Sequence, residues 1–200
     1  NCKDKAEMSD WNDLIRVIKN LKNEVNIALV GKYVQLHDAY ISVYESLKYA
    51  GYFYNTKINV KWIDSELLED ENVNLEEIFK DCKGIIVPGG FGNRGIEGKI
   101  KTINYARVNN IPFLGLCLGM QLSLIEIARN VLNYQDANSS EFDANTTHKI
   151  IDYLPNQYKG IKLGGTMRLG EYDCHILKDT LAYSLYEKER DWMKVVISFD

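Results

Sequence analysis

Short apolar runs of strand length alternate with segments of helical periodicity along most of this chain. The predicted strands are Val25–Gly31, Lys57–Asp64, Gly84–Val87 and Pro112–Cys117. The predicted helices are Asp38–Ala50, with Gly51 as its C-cap, then Leu75–Cys82, Gly98–Asn109 and Gly119–Leu132. Strands separated by helix-length segments form βαβ units, because parallel strands need a crossover connection. We therefore predict a doubly wound α/β fold with a flavodoxin-like core, in which helices cover both faces of a mostly parallel sheet.

The first 23 residues form a segment of their own. Their apolar residues recur at helical spacing, and Ser9 or Asp10 is placed to cap the helix. We interpret residues 1–23 as a leading helix packed on the domain, or as a linker from an upstream part of a longer protein. Residues 24–200 are then a single domain, because a chain of this size suits one core.

The charge and the cysteine positions of the sequence argue against several classes of function. The net charge is −4 with acids and bases interspersed, which predicts neither a nucleic-acid surface nor a polybasic membrane patch. No apolar run is long enough to span a bilayer. The four cysteines are scattered without metal-ligand spacing, so we expect no metal site and a reducing cytoplasm; they are Cys2, Cys82, Cys117 and Cys174.

The strongest chemical signal is the run Gly-Leu-Cys-Leu-Gly-Met-Gln at residues 115–121. Small residues two positions before and after Cys117 allow a tight turn from a strand into a helix. The N-terminus of that helix favours a thiolate, and the N–H of Leu118 is a candidate oxyanion donor. We predict that Cys117 is a nucleophile rather than a buried structural cysteine.

A second signal is the run Pro-Gly-Gly-Phe-Gly at residues 88–92, which follows another predicted strand. Consecutive glycines let the backbone turn sharply and bring N–H groups close to a ligand. Both runs fall at carboxyl ends of strands, where sites form in open parallel sheets. We expect Gly90 to supply a second oxyanion donor and Phe91 to wall the pocket.

Five stretches together resemble the glutamine amidotransferase domain of the CTP synthase family. They are IALVGKYVQLHDAY at 27–40, PGGFGNRGIEG at 88–98, IPFLGLCLGMQ at 111–121, DANSSEF at 136–142 and LGGTMRLG at 163–170. The cysteine turn alone is shared by all class I glutamine amidotransferases, and the other stretches separate this family from its relatives. The resemblance runs from about Met8 to about Tyr186.

The resemblance implies that Cys117 attacks the side-chain amide of L-glutamine, giving a glutamyl thioester and ammonia. It implies that Glu141 holds the α-amino group of glutamine, a carboxylate facing an ammonium. The remaining residues implied to line the glutamine site are Gly90, Phe91, Leu118, Gly119, Met120 and Gln121.

The resemblance also implies partners outside this chain. ATP, UTP and Mg would bind a synthetase domain of the same polypeptide, and the full-length enzyme would be a homo-tetramer that aminates UTP to CTP. GTP would act as an activator, with Arg94, Gly95 and Glu97 as effector candidates against the alternative of plain surface charge. The 163–170 stretch would be a lid near the ammonia exit. We expect no cofactor within this domain.

One part of the family pattern is missing. The family places its proton-shuttling His and the acid that orients it in a His-Pro-Glu motif, and neither His37, His148 nor His175 is followed by Pro-Glu. We assign none of the three as the base, and we expect the sequence to be cut or incomplete from about residue 189. The alternatives are a non-catalytic glutamine-binding or partner module, or the amidotransferase of another synthetase.

Overall fold

The computed structural model describes residues 7–153, 172–186 and 190–193, in two compact units that divide after residue 150. The first unit is built on a sheet of four parallel strands in the order β2-β1-β3-β4. These strands are β1 (Asn23–Gly31), β2 (Thr56–Asp64), β3 (Gly84–Val87) and β4 (Phe113–Gly115). The predicted α/β fold with a parallel sheet is confirmed.

Burial of the central strands follows from their sequence. All four residues of β3 are buried, and so are Ala28, Leu29 and Val30 at the end of β1. Continuous apolar runs suit strands that are covered on both faces, because neither side of the pleat meets water. Because these strands are parallel neighbours, the carboxyl ends of β1, β3 and β4 come together at one edge of the sheet.

Five α-helices lie in the described part of this unit. They are α1 (Ser9–Lys19), α2 (Ile41–Phe53), α3 (Leu75–Phe79), α4 (Ile96–Val108) and α5 (Leu118–Asn130). Each predicted helix of the alternating pattern is present, although α3 is only five residues long and a 3-10 turn at His37–Tyr40 precedes α2. Among the described residues, no helix has the length and apolarity needed to cross a membrane.

The prediction of Gly51 as a helix C-cap is wrong. Gly51 lies inside α2 and is buried, and the helix continues to Phe53. A Cβ placed on Gly51 would stand 2.5 Å from the carbonyl oxygen of Thr56 and 2.7 Å from Cγ1 of Ile58. The glycine is needed because α2 approaches the start of β2 closely, not because the helix ends there.

The leading segment contains the helix α1, but its predicted cap is wrong. The N-cap residue is Met8, and no side chain caps the helix; the N–H of Ser9 instead donates to the Glu7 carboxylate. None of the residues of α1 is buried, and Trp11 is largely exposed. The apolar stripe of α1 therefore contributes little to the core, although the helix touches α2.

The remaining strands and the last α-helix of the described residues are short. Strands β5 (Asn138–Ser139) and β6 (Lys149–Ile151) pair with each other. In the second unit, β7 (Tyr172–His175) and β8 (Arg190–Met193) pair antiparallel, and α6 spans Leu181–Tyr186. The 163–170 stretch, interpreted above as a lid, lies outside the described residues.

Helices α4 and α5 are joined by a buried ion pair. The carboxylate of Glu126 on α5 is fully buried and accepts hydrogen bonds from the Arg107 guanidinium at 2.7 to 3.1 Å and from the Asn104 amide at 2.8 Å. Burial disfavours ionisation, but these hydrogen bonds and that from Asn130 outweigh it and hold the pKa of Glu126 below its usual value. The pair therefore stabilises the fold when the carboxyl group is ionised.

We predict that Glu126→Gln lowers the free energy of unfolding by about 2 kcal/mol at pH 7, because a neutral amide replaces charge-assisted hydrogen bonds. The folded pKa of Glu126 is depressed, so its contribution is present at neutral pH and is lost as the pH falls below the ordinary glutamate range and through the lowered pKa. Urea denaturation of both proteins across this pH range measures the difference.

The matched control is Glu45→Gln, which breaks a partly exposed surface pair with Lys48 and is expected to change stability by less than about 0.5 kcal/mol. Equal losses for Glu126→Gln and the control at pH 7, or a difference that does not decrease as the pH is lowered, would contradict the assignment.

Candidate active site

The two glycine-containing runs meet at the carboxyl edge of the sheet. Gly89 and Gly90 follow β3, Cys117 follows β4, and these two strands are neighbours. A Cβ placed on Gly89 would stand 3.4 Å from Cβ and 3.8 Å from Sγ of Cys117. The expectation that the glycine loop lies beside the cysteine is confirmed, and a larger residue at position 89 would crowd the sulfur.

Cys117 has the backbone conformation of a nucleophile elbow. Its φ is 53° and its ψ is −109°, and it is the N-cap residue of α5 with an exposed side chain. A positive φ in a non-glycine residue costs about 1–3 kcal/mol and persists only where the surroundings enforce it. The conformation turns the thiol out of the strand and over the start of a helix, where unpaired N–H groups favour negative charge.

Two glycines enforce that conformation. A Cβ on Gly115 would stand 2.6 Å from the backbone of Gly119, and a Cβ on Gly119 would stand 2.0 Å from the carbonyl oxygen of Val87. The same Val87 oxygen accepts a hydrogen bond from the N–H of Leu116 at 2.9 Å. Strand β4, the turn and α5 are thus packed backbone to backbone on the end of β3, which leaves no space for side chains at either position.

The glycine loop is held by a lysine that sequence reasoning did not single out. Lys32, directly after β1, is 5% exposed, and its Nζ donates hydrogen bonds to the carbonyl oxygens of Phe91 and Gly92, the latter at 2.8 Å. The available signal was a charged residue immediately after a buried strand that ends in Gly31. By fixing these two carbonyls, Lys32 orients the peptide planes that follow Gly90.

Charges around Lys32 connect the loop with Glu141. Burial, followed by the charge of Arg94, lowers the pKa of Lys32, and the carboxylates of Glu66 and Glu141 act in the opposite direction. Glu141 lies after β5, between Asp136 and Thr147, which are joined by hydrogen bonds from Thr147 to the carboxylate of Asp136. The carboxylate predicted to bind the α-amino group is thus one of the charges that act on the lysine holding the glycine loop.

The residues predicted to line the glutamine site differ in their exposure to solvent. Leu118 and Gly119 are buried in the first turn of α5, and Gln121 is 8% exposed. Met120 and Phe91 present 47% and 54% of their surfaces to solvent on the two sides of the turn. As the first residue of α5, Leu118 has an N–H without an acceptor inside the helix, as an oxyanion donor requires.

The three effector candidates do not form one cluster. Arg94 pairs with Glu66 at 2.7 Å and is largely exposed, and Gly95 is the left-handed N-cap of α4 with a φ of 70°. Glu97 instead accepts two hydrogen bonds from Arg129 on α5, at 2.9 and 3.0 Å. Glu97 thus has a structural partner that the sequence did not reveal, and its effector role stays a prediction.

Two histidines of the first unit are engaged in ring contacts. His37 stacks on Trp62 with ring centroids 4.2 Å apart, and His148 stacks on Tyr134 and lies 2.5 Å from the Asp136 carboxylate. His175 lies in the second unit and is exposed. In the part of the chain that the structure describes, no group of three His, Cys, Asp or Glu side chains is placed to hold a metal ion.

We predict that Gly119→Ala destabilises the protein by about 1–3 kcal/mol and suppresses alkylation of Cys117, because the added methyl group overlaps the Val87 carbonyl. Urea denaturation and the rate of iodoacetamide labelling measure the two effects. Ser123→Ala, one turn further along α5, is the control and should change neither. Normal labelling in a stable Gly119→Ala protein would contradict the packing argument.

A family model described as glutamine amidotransferase class-I matches residues 35–194 of this chain. The chain is 55% identical to the CTP synthase of Clostridium beijerinckii over 188 residues, and 53% identical to that of Geobacillus kaustophilus over 189 residues. Each match covers 94% of this chain but only 34% and 35% of the relatives. The chain therefore spans about a third of the length of the curated relatives it matches.

A solved structure gives the same result for the fold. The glutaminase domain of Trypanosoma brucei CTPS with bound acivicin is 37% identical to this chain and superposes with a TM-score of 0.74. The superposition covers 85% of this chain and 67% of the other.

Proposed function

This chain belongs to the class I glutamine amidotransferase family, and we propose that it hydrolyses L-glutamine through Cys117 as the glutaminase part of a CTP synthase. The observation that carries the proposal is the Cys117 elbow, with its sulfur beside the glycine loop that follows the neighbouring strand. Its similarity to CTP synthases over 94% of its length supports the choice of that enzyme over other amidotransferases.

In the first step the Cys117 thiolate adds to the carboxamide carbon of glutamine. The carbonyl π electrons move to oxygen, and the resulting oxyanion accepts hydrogen bonds from the N–H groups of Gly90 and Leu118. These groups are preorganised by backbone packing and by Lys32, so they need no rearrangement as the charge develops. This differential stabilisation lowers the barrier.

In the second step the tetrahedral intermediate collapses. The C–N bond breaks, the nitrogen takes a proton and leaves as ammonia, and a thioester joins Cys117 to the glutamyl group. Water then adds to the thioester, and the C–S bond breaks to give glutamate and the free thiol. A general base must take the proton from the thiol and, as its conjugate acid, give a proton to the leaving nitrogen. We assign this role to none of His37, His148 or His175.

Glu141 would orient the substrate by pairing with its α-ammonium group, while Phe91 and Met120 would border the pocket. Phe91 and Met120 expose apolar surface next to buried backbone. Such a surface suits the apolar part of an amphipathic amino acid. A carboxylate in this place would also favour glutamine over a neutral amide that lacks the ammonium group.

Beyond this chain, we propose that the ammonia aminates UTP to CTP in a synthetase domain of the same polypeptide, which would bind ATP, UTP and Mg and assemble as a homo-tetramer. The two-thirds of the relatives' length that this chain does not match leaves room for that domain. We propose the cytoplasm as its compartment, because the nucleophilic thiol must stay reduced.

We predict that Cys117→Ala abolishes glutamine hydrolysis and covalent labelling by a glutamine-analogue diazoketone. In the unmodified full-length protein, mass spectrometry of the labelled peptide should find one equivalent on Cys117 and none on Cys82, because burial raises the pKa of the Cys82 thiol. Cys82→Ala is the matched control and should label normally. Absence of labelling in the unmodified protein would favour the non-catalytic module instead.

We also propose that the 93–97 loop binds GTP, with Arg94 as its anion-binding residue. Arg94 is 62% exposed although it pairs with Glu66 at 2.7 Å, so a phosphate group can approach its guanidinium. Arg94→Ala is expected to lower the stimulation of glutamine hydrolysis by GTP about tenfold, measured as ammonia release, while basal hydrolysis stays unchanged. Arg16→Ala, in an exposed pair on α1, is the control. Equal stimulation of the Arg94→Ala and unmodified proteins would remove the residue from the effector site.

A further inference from the structure

A second lysine lies beneath the glycine loop without a partner. Lys99, in the first turn of α4, has no exposed surface, and its Nζ has no hydrogen-bond acceptor among the described residues. A buried ammonium without an acceptor is costly, because it loses its water without regaining hydrogen bonds. Such a group needs an explanation in function, since an apolar residue of the same length would pack at this position without that cost.

The position of Lys99 relates it to the nucleophile. A Cβ on Gly90 would stand 3.5 Å from Nζ of Lys99, and a Cβ on Gly89 would stand 3.8 Å from Sγ of Cys117. The ammonium and the sulfur thus each lie close to one of two consecutive glycine residues, which carry no side chains.

We propose that Lys99 is a positioning charge for the amidotransferase reaction, which stabilises the Cys117 thiolate and the oxyanion across the Gly89–Gly90 turn. This inference rests on the proposed glutaminase function of Cys117. Lys99 does not touch the substrate; it acts through the electrostatic field at the sulfur and at the oxyanion site. Its full burial reduces the screening of that field by salt.

The charged groups that act on Lys99 support this role. Burial, followed by the charge of Lys32, lowers the pKa of Lys99 to about 8, and Cys117 is the group that acts to raise it. Lys99 is thus mostly protonated at pH 7 and becomes neutral above about pH 8. Because the folded pKa lies below the ordinary value, folding disfavours the charged form, and the lysine costs stability at neutral pH.

The decisive variant is Lys99→Met in the full-length protein, which keeps the length of the side chain and removes its charge. We expect the midpoint of thermal unfolding at pH 7 to rise, and the rate of Cys117 alkylation by iodoacetamide to fall about threefold. The pH at which alkylation reaches half its maximal rate should move upward by about half a unit. A residue with only a structural role would not produce opposite changes in stability and thiol reactivity.

Lys101→Met is the matched control. Lys101 lies on the same helix, but it is only half-buried and its Nζ donates to the carbonyl oxygen of Glu69. This variant should leave the alkylation profile unchanged. A Lys99→Met protein with an unshifted profile would overturn the proposal, and so would a shift of equal size in the control.

Lys99→Gln serves if the methionine variant does not fold, and it carries the same expected shift. Peptide mapping assigns the alkylation to Cys117 and separates it from the other cysteines. The two proposals fail in distinguishable ways: without glutaminase activity the unmodified protein would release no ammonia, whereas failure of the Lys99 inference would leave ammonia release intact and the alkylation profiles identical.

Discussion

The close approach of Gly119 to the carbonyl group of Val87 determines the geometry of the whole site. Because no side chain separates them, the first turn of α5 rests directly on the end of β3. The turn that joins β4 to α5 must then reverse within two residues, and Cys117 takes a positive φ as a result. The cysteine is exposed because its neighbours are packed so tightly, not because the region is loose.

The same contact determines which residues surround the sulfur. The end of β3 continues directly into the glycine loop, so the element that supports α5 also supplies the backbone opposite Cys117. Lys32 reaches this loop from the end of β1, the strand on the other side of β3. Three neighbouring strands thus each contribute one component at their carboxyl ends, as is usual for sites in open parallel sheets.

Much of this arrangement could be predicted from the sequence, because it depends on local patterns. The alternation of apolar runs with helical segments predicted the parallel sheet, and the glycines two residues before and after Cys117 predicted the elbow. What could not be predicted depends on contacts between distant segments. Gly51 resembles a C-cap in the sequence, but its role comes from the approach of Thr56. The partners of Glu97 and Glu126, and the burial of Lys99, likewise become visible only when helices α4 and α5 are placed side by side.

The ion pairs between these two helices have a mechanical consequence. The last turns of α5 are attached to α4 at two separate points, through Arg129 to the first turn and through Glu126 to the last turn. Helix α4 follows the glycine loop and α5 follows Cys117. The two ion pairs therefore connect the helices that carry the two sides of the candidate site. These ion pairs therefore help to keep Cys117 at a fixed distance from the glycine loop, although their residues do not line the candidate site.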